Sequence, residues 1–304
     1  MPYPALDLFP SETLFPGFPI PIVVGGYAQL IECALSGLVL TATDDQYVDW
    51  LQNTLTGWYG SPASSLQLTQ KQRAPGAWPG PRQMTARTLA LSGMVEAPTP
   101  AALLDALDRL NTAASLDTTL LTVSEFGLIR SCLVYRQDEV LTSRINETAA
   151  AWSVQLAAAD PRKFATALSS TTGLPSASGG LSIPFTVPFT LASSIVSGEC
   201  HLTNPGNANG PVVLRIDGPI VGPRITHVGS GAQLVFASSL ALGVGEYLVV
   251  DMEAQTALAN GQTSRNKWIT NRGWSAFEPG ENTWAFAALS GSGHLTVTGT
   301  PAWL

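Results

Sequence analysis

The chain has 304 residues, enough for two domains of ordinary size that each bury a core without staples. Its formal net charge is -7, and no stretch forms the basic stripe that must displace counterions from phosphates, so a nucleic-acid partner is excluded. Charged residues make up only 12% of the chain against roughly 25% in ordinary soluble domains, which leaves a neutral, polar surface suited to a subunit packed among other subunits.

The segment from Met1 to Pro21 holds six prolines, which favours an extended run that lies across a partner rather than a paired strand. No Lys or Arg precedes Lys71, so the basic region of a signal peptide is missing and export as a free protein is not expected. The most apolar stretch, 18–40, is broken by Pro19, Pro21, Gly25, Gly26, Gln29 and Glu32, which fits a pair of strands better than a membrane span. Ser36-Gly37 is a turn signal within it, and the register of 44–51 is ambiguous.

Residues 66–70 and 84–95 predict two strands separated by 71–82, a Pro- and Gly-rich loop that should project as an arm. Thr99 is placed as an N-cap with Pro100 at the first helical position. Ala101, Leu103, Leu104, Leu107, Leu110 and Ala114 then recur at three- and four-residue spacing, which predicts one helix. Strands follow over 119–123, 128–135 and 148–158, the last placing Ala150, Trp152, Val154 and Leu156 on one side to cover the helix. Pro161 ends that strand, and 165–180, dominated by Ser, Thr, Gly and Ala, has the composition of a linker.

From Gly198 onward short apolar runs alternate with turns at intervals of roughly ten residues, the spacing of an all-β sandwich. Val212, Leu214 and Ile216 share one face of the strand before Gly218; 233–236, 246–251, 283–288 and 294–298 repeat the alternation. Asn260-Gly261 is a hairpin turn, and Pro279-Gly280 turns the chain after Phe277. Cys33, Cys132 and Cys200 are odd in number and lie in apolar alternations, which fits buried free thiols and synthesis in a reducing compartment.

The order of these signals resembles the siphophage distal tail proteins. In the C-terminal half the likeness rests on Asn204-Pro205-Gly206, the strand 211–218, Gly245 to Asp251, Asn260-Gly261, and Phe277 to Asn282. In the N-terminal half it rests on the strand Arg87 to Gly93, the helix after it, and the strand that ends in Asp160-Pro161-Arg162. The resemblance implies a mainly β protein, with an N-terminal split β-barrel carrying one helix (1–165), a linker (166–182) and a C-terminal galectin-like β-sandwich (183–304). It further implies a structural virion protein, made in the host cytoplasm, that closes into a hexameric ring at the distal end of a long non-contractile tail. Its partners would be the tail tube protein, the tail-associated lysin or tip protein, and the tape-measure protein.

Catalytic chemistry finds little support in the residues, and an enzyme is not expected. His201, His227 and His294 stand singly without metal-ligand spacing, so neither metal nor cofactor is expected. Gly229-Ser230-Gly231 and Gly291-Ser292-Gly293 fall where hairpin turns are needed. Glu246 and Asp251, five apart on one strand, point to opposite faces, and Glu278 and Glu281 flank a turn, so a glycan hydrolase is poorly supported. The alternative to a ring subunit is a carbohydrate-binding adhesion module, with Trp268, Trp274 or Trp284 stacking on a sugar and Asn266, Asn271 or Arg272 bonding it. Trp284 alternates as core and Trp274, beside Gly273, stays open.

Charge is segregated along the N-terminal half. Residues 1–49 carry Asp7, Glu12, Glu32, Asp44, Asp45 and Asp49 without a cation, whereas 50–95 carry Lys71, Arg73, Arg82 and Arg87 without an anion. Either the charges pair within the chain, or the arm reaches the acidic segment of a neighbour in a ring, with Trp78 as apolar anchor.

Overall fold

The computed structural model describes residues 31–178, 194–196 and 198–304. The proline-rich stretch, Asp7, Glu12 and the apolar run expected from Ile183 lie outside them. The described chain is mainly β with one long helix, and its buried apolar side chains form two clusters, one running from Cys33 to Ala158 and the other from Cys200 to Val297.

The first cluster is built from β1 (Ile31–Leu35), β2 (Leu38–Val39), β3 (Asp49–Thr56), the ribbon β4 (Ser64–Gln70) and β5 (Ala77–Met84), and β6 (Arg87–Glu96). The helix α1 (Pro100–Ala113) follows, then β7 (Thr119–Glu125), β8 (Leu128–Arg136), β9 (Leu141–Arg144), β10 (Ala149–Ala158) and β11 (Lys163–Phe164). The sheet runs β2-β1-β7-β8-β10-β6-β3 and stays open, since β2 and β3 do not pair; this is the split form the resemblance implied. Ser36 and Gly37 both take positive φ in the β1–β2 turn, as a tight hairpin of two-residue type requires.

Thr99 caps α1 through its hydroxyl, which accepts from the Ala102 amide at 3.2 Å, with Pro100 at the start where no amide proton is missed. The helix buries Leu103, Ala106, Leu110 and Ala113, while Leu107 is half-buried and Leu104 is exposed. The apolar stripe is therefore rotated from the one expected, because Ala106, small enough to let the helix approach the sheet, takes the central position. Ala150, Trp152, Val154 and Leu156 are all buried in the same cluster. Gly93 on β6 makes room for Trp152: a Cβ there would lie 2.8 Å from the indole and 2.3 Å from the Leu51 carbonyl oxygen.

Two expected boundaries shift. The expected strand 84–95 is interrupted, and the Pro- and Gly-rich stretch before it is half strand: β5 includes Trp78, Pro79, Pro81 and Arg82 and pairs with β4 from Ser64↔Met84 to Gln70↔Ala77. Proline is tolerated because a two-stranded ribbon consists of edges alone. Likewise 44–48 is a turn leading into β3, where the sequence left the register open.

The second cluster is a sandwich. One sheet orders β12 (Leu168–Gly173), β27 (His294–Gly299), β16 (Val212–Asp217), β21 (Tyr247–Asp251), β22 (Thr256–Ala259) and β23 (Thr263–Ser264). The facing sheet orders β15 (Glu199–Asn204), β25 (Gly280–Ala287), β18 (Arg224–His227), β19 (Gln233–Phe236) and β24 (Ile269–Arg272). Short pairs complete it: β13 (Ser176–Ser178) with β14 (Ser194–Val196), and β17 (Ile220–Val221) between β20 (Ala241–Leu242) and β26 (Ser290–Gly291). Val212, Leu214 and Ile216 are buried as the alternation required, and Asn260 and Gly261 form the β22–β23 turn with positive φ.

Within the stretch expected as linker, β12 adds an edge strand to the sandwich. An edge strand with one solvent face needs backbone partners more than apolar side chains, and Ser and Thr serve: the hydroxyls of Thr171 and Thr296 meet at 2.9 Å. The last strand, β28 (Ala302–Trp303), returns to the first sheet and pairs with β11, which in turn pairs with β8. Gly206 permits this return, since a Cβ there would stand 1.9 Å from the Ala302 carbonyl oxygen. Beside it the buried Asn204 amide donates to the carbonyls of Ala208 and Phe277 and accepts from the Gly206 amide, which accounts for Asn204-Pro205-Gly206 as a unit.

Candidate functional site

The ribbon β4–β5 is the arm expected from sequence, and none of the described residues covers it. Every residue of β4 is exposed, as are Trp78, Pro79 and Pro81 to Met84, so Leu66, Leu68 and Trp78 stand in solvent, Trp78 at 64% of its full area. Two strands without a third or a core beneath them are marginal in water, and among the described residues the arm's apolar side chains have no cover. Its cations are likewise uncommitted. Lys71 lies over the Trp78 ring, 4.6 Å from its centroid, and among the described residues Lys71, Arg73 and Arg82 make no ion pair.

The other members of the predicted interface set are placed differently. Arg87 is 2% exposed and belongs to the interior: its Nε donates to the Pro161 carbonyl at 2.9 Å, and its Nη1 donates to the carbonyls of Gly57 and Gly60 at 2.6 and 2.7 Å. Lys163, 3% exposed, donates to the Trp58 carbonyl at 2.9 Å from the same interior. Burial pushes its ammonium down to about 8, helped by the nearby guanidinium groups of Arg87 and Arg130. These two cations tie the 57–60 loop to the end of β10, a structural role that sequence reasoning missed for Lys163 and misassigned for Arg87.

Asp44 is committed inside its own chain. It accepts from the amides of Gln46 and Val48, from Trp50 Nε1 at 3.3 Å and from Arg109 on α1 at 2.7 Å. Burial would raise its carboxyl, but the bond from the Val48 amide and the Arg109 pair outweigh it and hold it below the ordinary range. Asp49 accepts from the Thr43 hydroxyl. Of the acidic residues of the segment 1–49 among the described ones, Glu32 and Asp45 are exposed.

The junction between the two cores is held by Arg162. Its guanidinium is bidentate to Asp160, with Nε–Oδ1 at 3.0 Å and Nη2–Oδ2 at 2.6 Å; it also donates to the Asn209 carbonyl at 3.0 Å and pairs with Glu253 of the sandwich. These bonds raise its already high pKa further. Just past the end of β10, Pro161 has its own carbonyl gripped by Arg87, and the next residue, Arg162, reaches across to the second core.

The singled-out groups of the sandwich are structural where the structure places them. His227 is buried, hydrogen-bonded to Ser230 at 2.7 Å and to Asn282 at 3.1 Å. Trp284 is fully buried, its Nε1 donating to Ser275 at 3.1 Å. Glu246 caps the turn at Gly243, and Asp251 accepts from the amides of Glu253 and Ala254. The three cysteines are free and buried, with Cys33 and Cys132 pushed to about 12 by burial, which leaves them unreactive. Trp274 borders an open cleft. Among the described residues no helix is long and apolar enough to cross a membrane.

An open N-terminal sheet with one helix, followed by a C-terminal sandwich, is an arrangement shared with a solved phage protein. The Dit protein of phage SPP1, described as a paradigm of the hub adsorption apparatus in phages infecting Gram-positive bacteria, matches with a TM-score of 0.64 and 14% identity, covering 91% of this chain and 100% of that one. Two structures of the phage P2 baseplate in its activated conformation, with calcium and with strontium, match at TM-scores of 0.47 and 0.45 and 11% identity. They cover 89% and 88% of this chain and 98% and 97% of theirs. Residues 205–303 match the family model of the siphovirus-type tail component, C-terminal domain. Over its last third the chain matches that family, and over most of its length it shares the fold of the SPP1 Dit protein. No curated protein sequence matches it.

Proposed function

We propose that six copies of this chain close into a ring at the distal end of a long non-contractile tail and join the tail tube to the tip and adhesion apparatus. The observation that carries this reading is the family match over 205–303, and the uncovered arm supports the ring. A heterologous ring needs each subunit to offer one surface to a different surface of the next. The arm offers Trp78, Leu66 and Leu68 with unpaired Lys71, Arg73 and Arg82, and the neighbour's acidic segment around Asp45 receives it.

In this reading the first core forms the ring, the sandwich sits outside it, and the division between the two domains falls at 165–167, the upstream end of the expected linker. The tail tube protein would bind one side of the ring and the tail-associated lysin or tip protein the other, with the tape-measure protein in the lumen. The role is mechanical and asks for no catalysis. Mass measurement of the purified chain tests it: a particle of six times 31.9 kDa supports the ring, and a monomer at every concentration and salt sinks it.

A further inference from the structure

We infer that the cleft beside Trp274, at the junction of the two cores, is a binding site for a neutral saccharide. The cleft holds about 290 Å3, close to the lower end of ligand sites, and junctions between domains are where such sites concentrate. Its base is apolar, formed by Val212 and Met252; Trp274 forms one wall, and Arg162, Glu253 and Gln255 line the rest of it.

Trp274 differs from the other two tryptophans of its region. Trp284 is sealed in the core, and Trp268 already carries Arg265 and Lys267 over its ring at 4.7 and 4.5 Å. Trp274 is half-buried, packs against the sandwich core and lines the cleft, and among the described residues no cation or ring stacks on it. The C–H face of a pyranose is a natural complement to such a wall, since it is apolar and carries the positive edge that the aromatic quadrupole attracts.

Charge narrows the ligand class. Arg162 brings one positive charge, but Asp160 and Glu253 both pair with it, which leaves the site one negative charge in excess. An anionic ligand such as a phosphodiester or a uronic acid would be repelled there. Hydroxyl groups, which both donate and accept, suit what remains: the carboxylate of Glu253 accepts, and the exposed side-chain amide of Gln255 does both. The five hydrogen bonds made by the Arg162 guanidinium fix this wall before any ligand arrives, so little ordering is lost on binding. This site is independent of ring formation and would be present in a monomer.

The test is saturation-transfer NMR on the full chain with methyl glucoside, methyl galactoside, N-acetylglucosamine, lactose and maltose, and with glucuronate as the anionic control. At least one neutral sugar should bind with a Kd on the order of 1 mM. Trp274→Ala should weaken it at least tenfold, and Gln255→Ala, an exposed position with no part in the core, should weaken it severalfold with an unchanged melt. Silence from every neutral sugar at about 20 mM, binding unaltered in both variants, or glucuronate bound as tightly as the neutral sugars would each overturn the site. A failure of the hexamer measurement would leave these results untouched.

Discussion

The two cores of this chain finish their surfaces in opposite ways. Of the large apolar side chains left in solvent among the described residues, only Leu168, Val228, Val244 and Leu289 lie in the sandwich, three of them away from its strands. The first core exposes Leu66, Leu68 and Trp78 on the ribbon and Leu120, Ile129, Leu133 and Tyr135 on the outer face of the β7–β8 hairpin, where Leu120 pairs directly with Leu133. Burying such area is worth roughly 25 cal/mol per Å2, so an uncovered apolar patch is where a partner would gain most. Among the described residues the sandwich covers most of its large apolar side chains, and the first core leaves many of its own open.

The comparison breaks first if the sandwich core is not the tight body described. Trp284→Ala removes a fully buried ring packed 5.0 Å from His227 and 6.1 Å from Phe277, and should cost about 3 to 5 kcal/mol in urea unfolding. Arg87→Met should rank next, at about 3 kcal/mol, because the carbonyls of Gly57, Gly60 and Pro161 lose their donor inside the first core. A loss below 1 kcal/mol would return Arg87 to the surface role read from sequence. Leu107→Ala, at a half-buried helix position, should cost about 1 kcal/mol, less than Leu110→Ala at a buried one.

Arg87 also shows what a sequence does and does not disclose. It lies in phase with Leu89, Leu91 and Val95, so the period-2 pattern that found the core face of β6 already put Arg87 on it. Charge segregation pulled the reading the other way, toward an interface. The local signals were legible where one residue suffices: the Thr99 cap, the Ser36-Gly37 and Asn260-Gly261 turns, the alternations of β10 and β16. Pairings made at long range were not. Nothing near Asp44 announces Arg109, sixty-five positions away, and nothing in the Ser- and Thr-rich 168–173 announces that β27 is its partner. The arm was legible as an arm because Pro and Gly mark it, but its pairing was hidden, since a free ribbon needs no apolar alternation.

Buried Lys163 gives the first core a pH response. Lys163 has a folded pKa of about 8 against an ordinary 10.5. Between those values the unfolded chain keeps a proton that the folded chain has lost, so stability should rise with pH across that window, by at most about 1.4 kcal/mol per unit for one group. Comparing urea midpoints at successive pH values for the parent and for Lys163→Met isolates the effect. The parent should gain relative to the variant from pH 8 upward, and parallel curves would mean that Lys163 titrates normally.

The smallest effect on stability should accompany the largest effect on assembly. Trp78→Ala removes an exposed ring with the Lys71 ammonium over it, so the monomer should unfold within about 0.5 kcal/mol of the parent. If the arm anchors a neighbouring subunit, the same change should abolish the ring at concentrations where the parent is hexameric, because a large aromatic in a desolvated pocket carries a disproportionate share of interface energy. Arg73→Glu with Arg82→Glu should weaken the ring in a different manner: rim charges set encounter and register, so their loss should be most visible at low salt and fade as screening shortens toward ~3 Å at 1 M. Sedimentation of both variants across a salt series separates anchor from steering. A Trp78→Ala protein that still forms rings, or an assembled structure in which residues 70–83 touch no other chain, would leave the arm's exposed surface without its partner and return the difference between the two cores to an accident of packing.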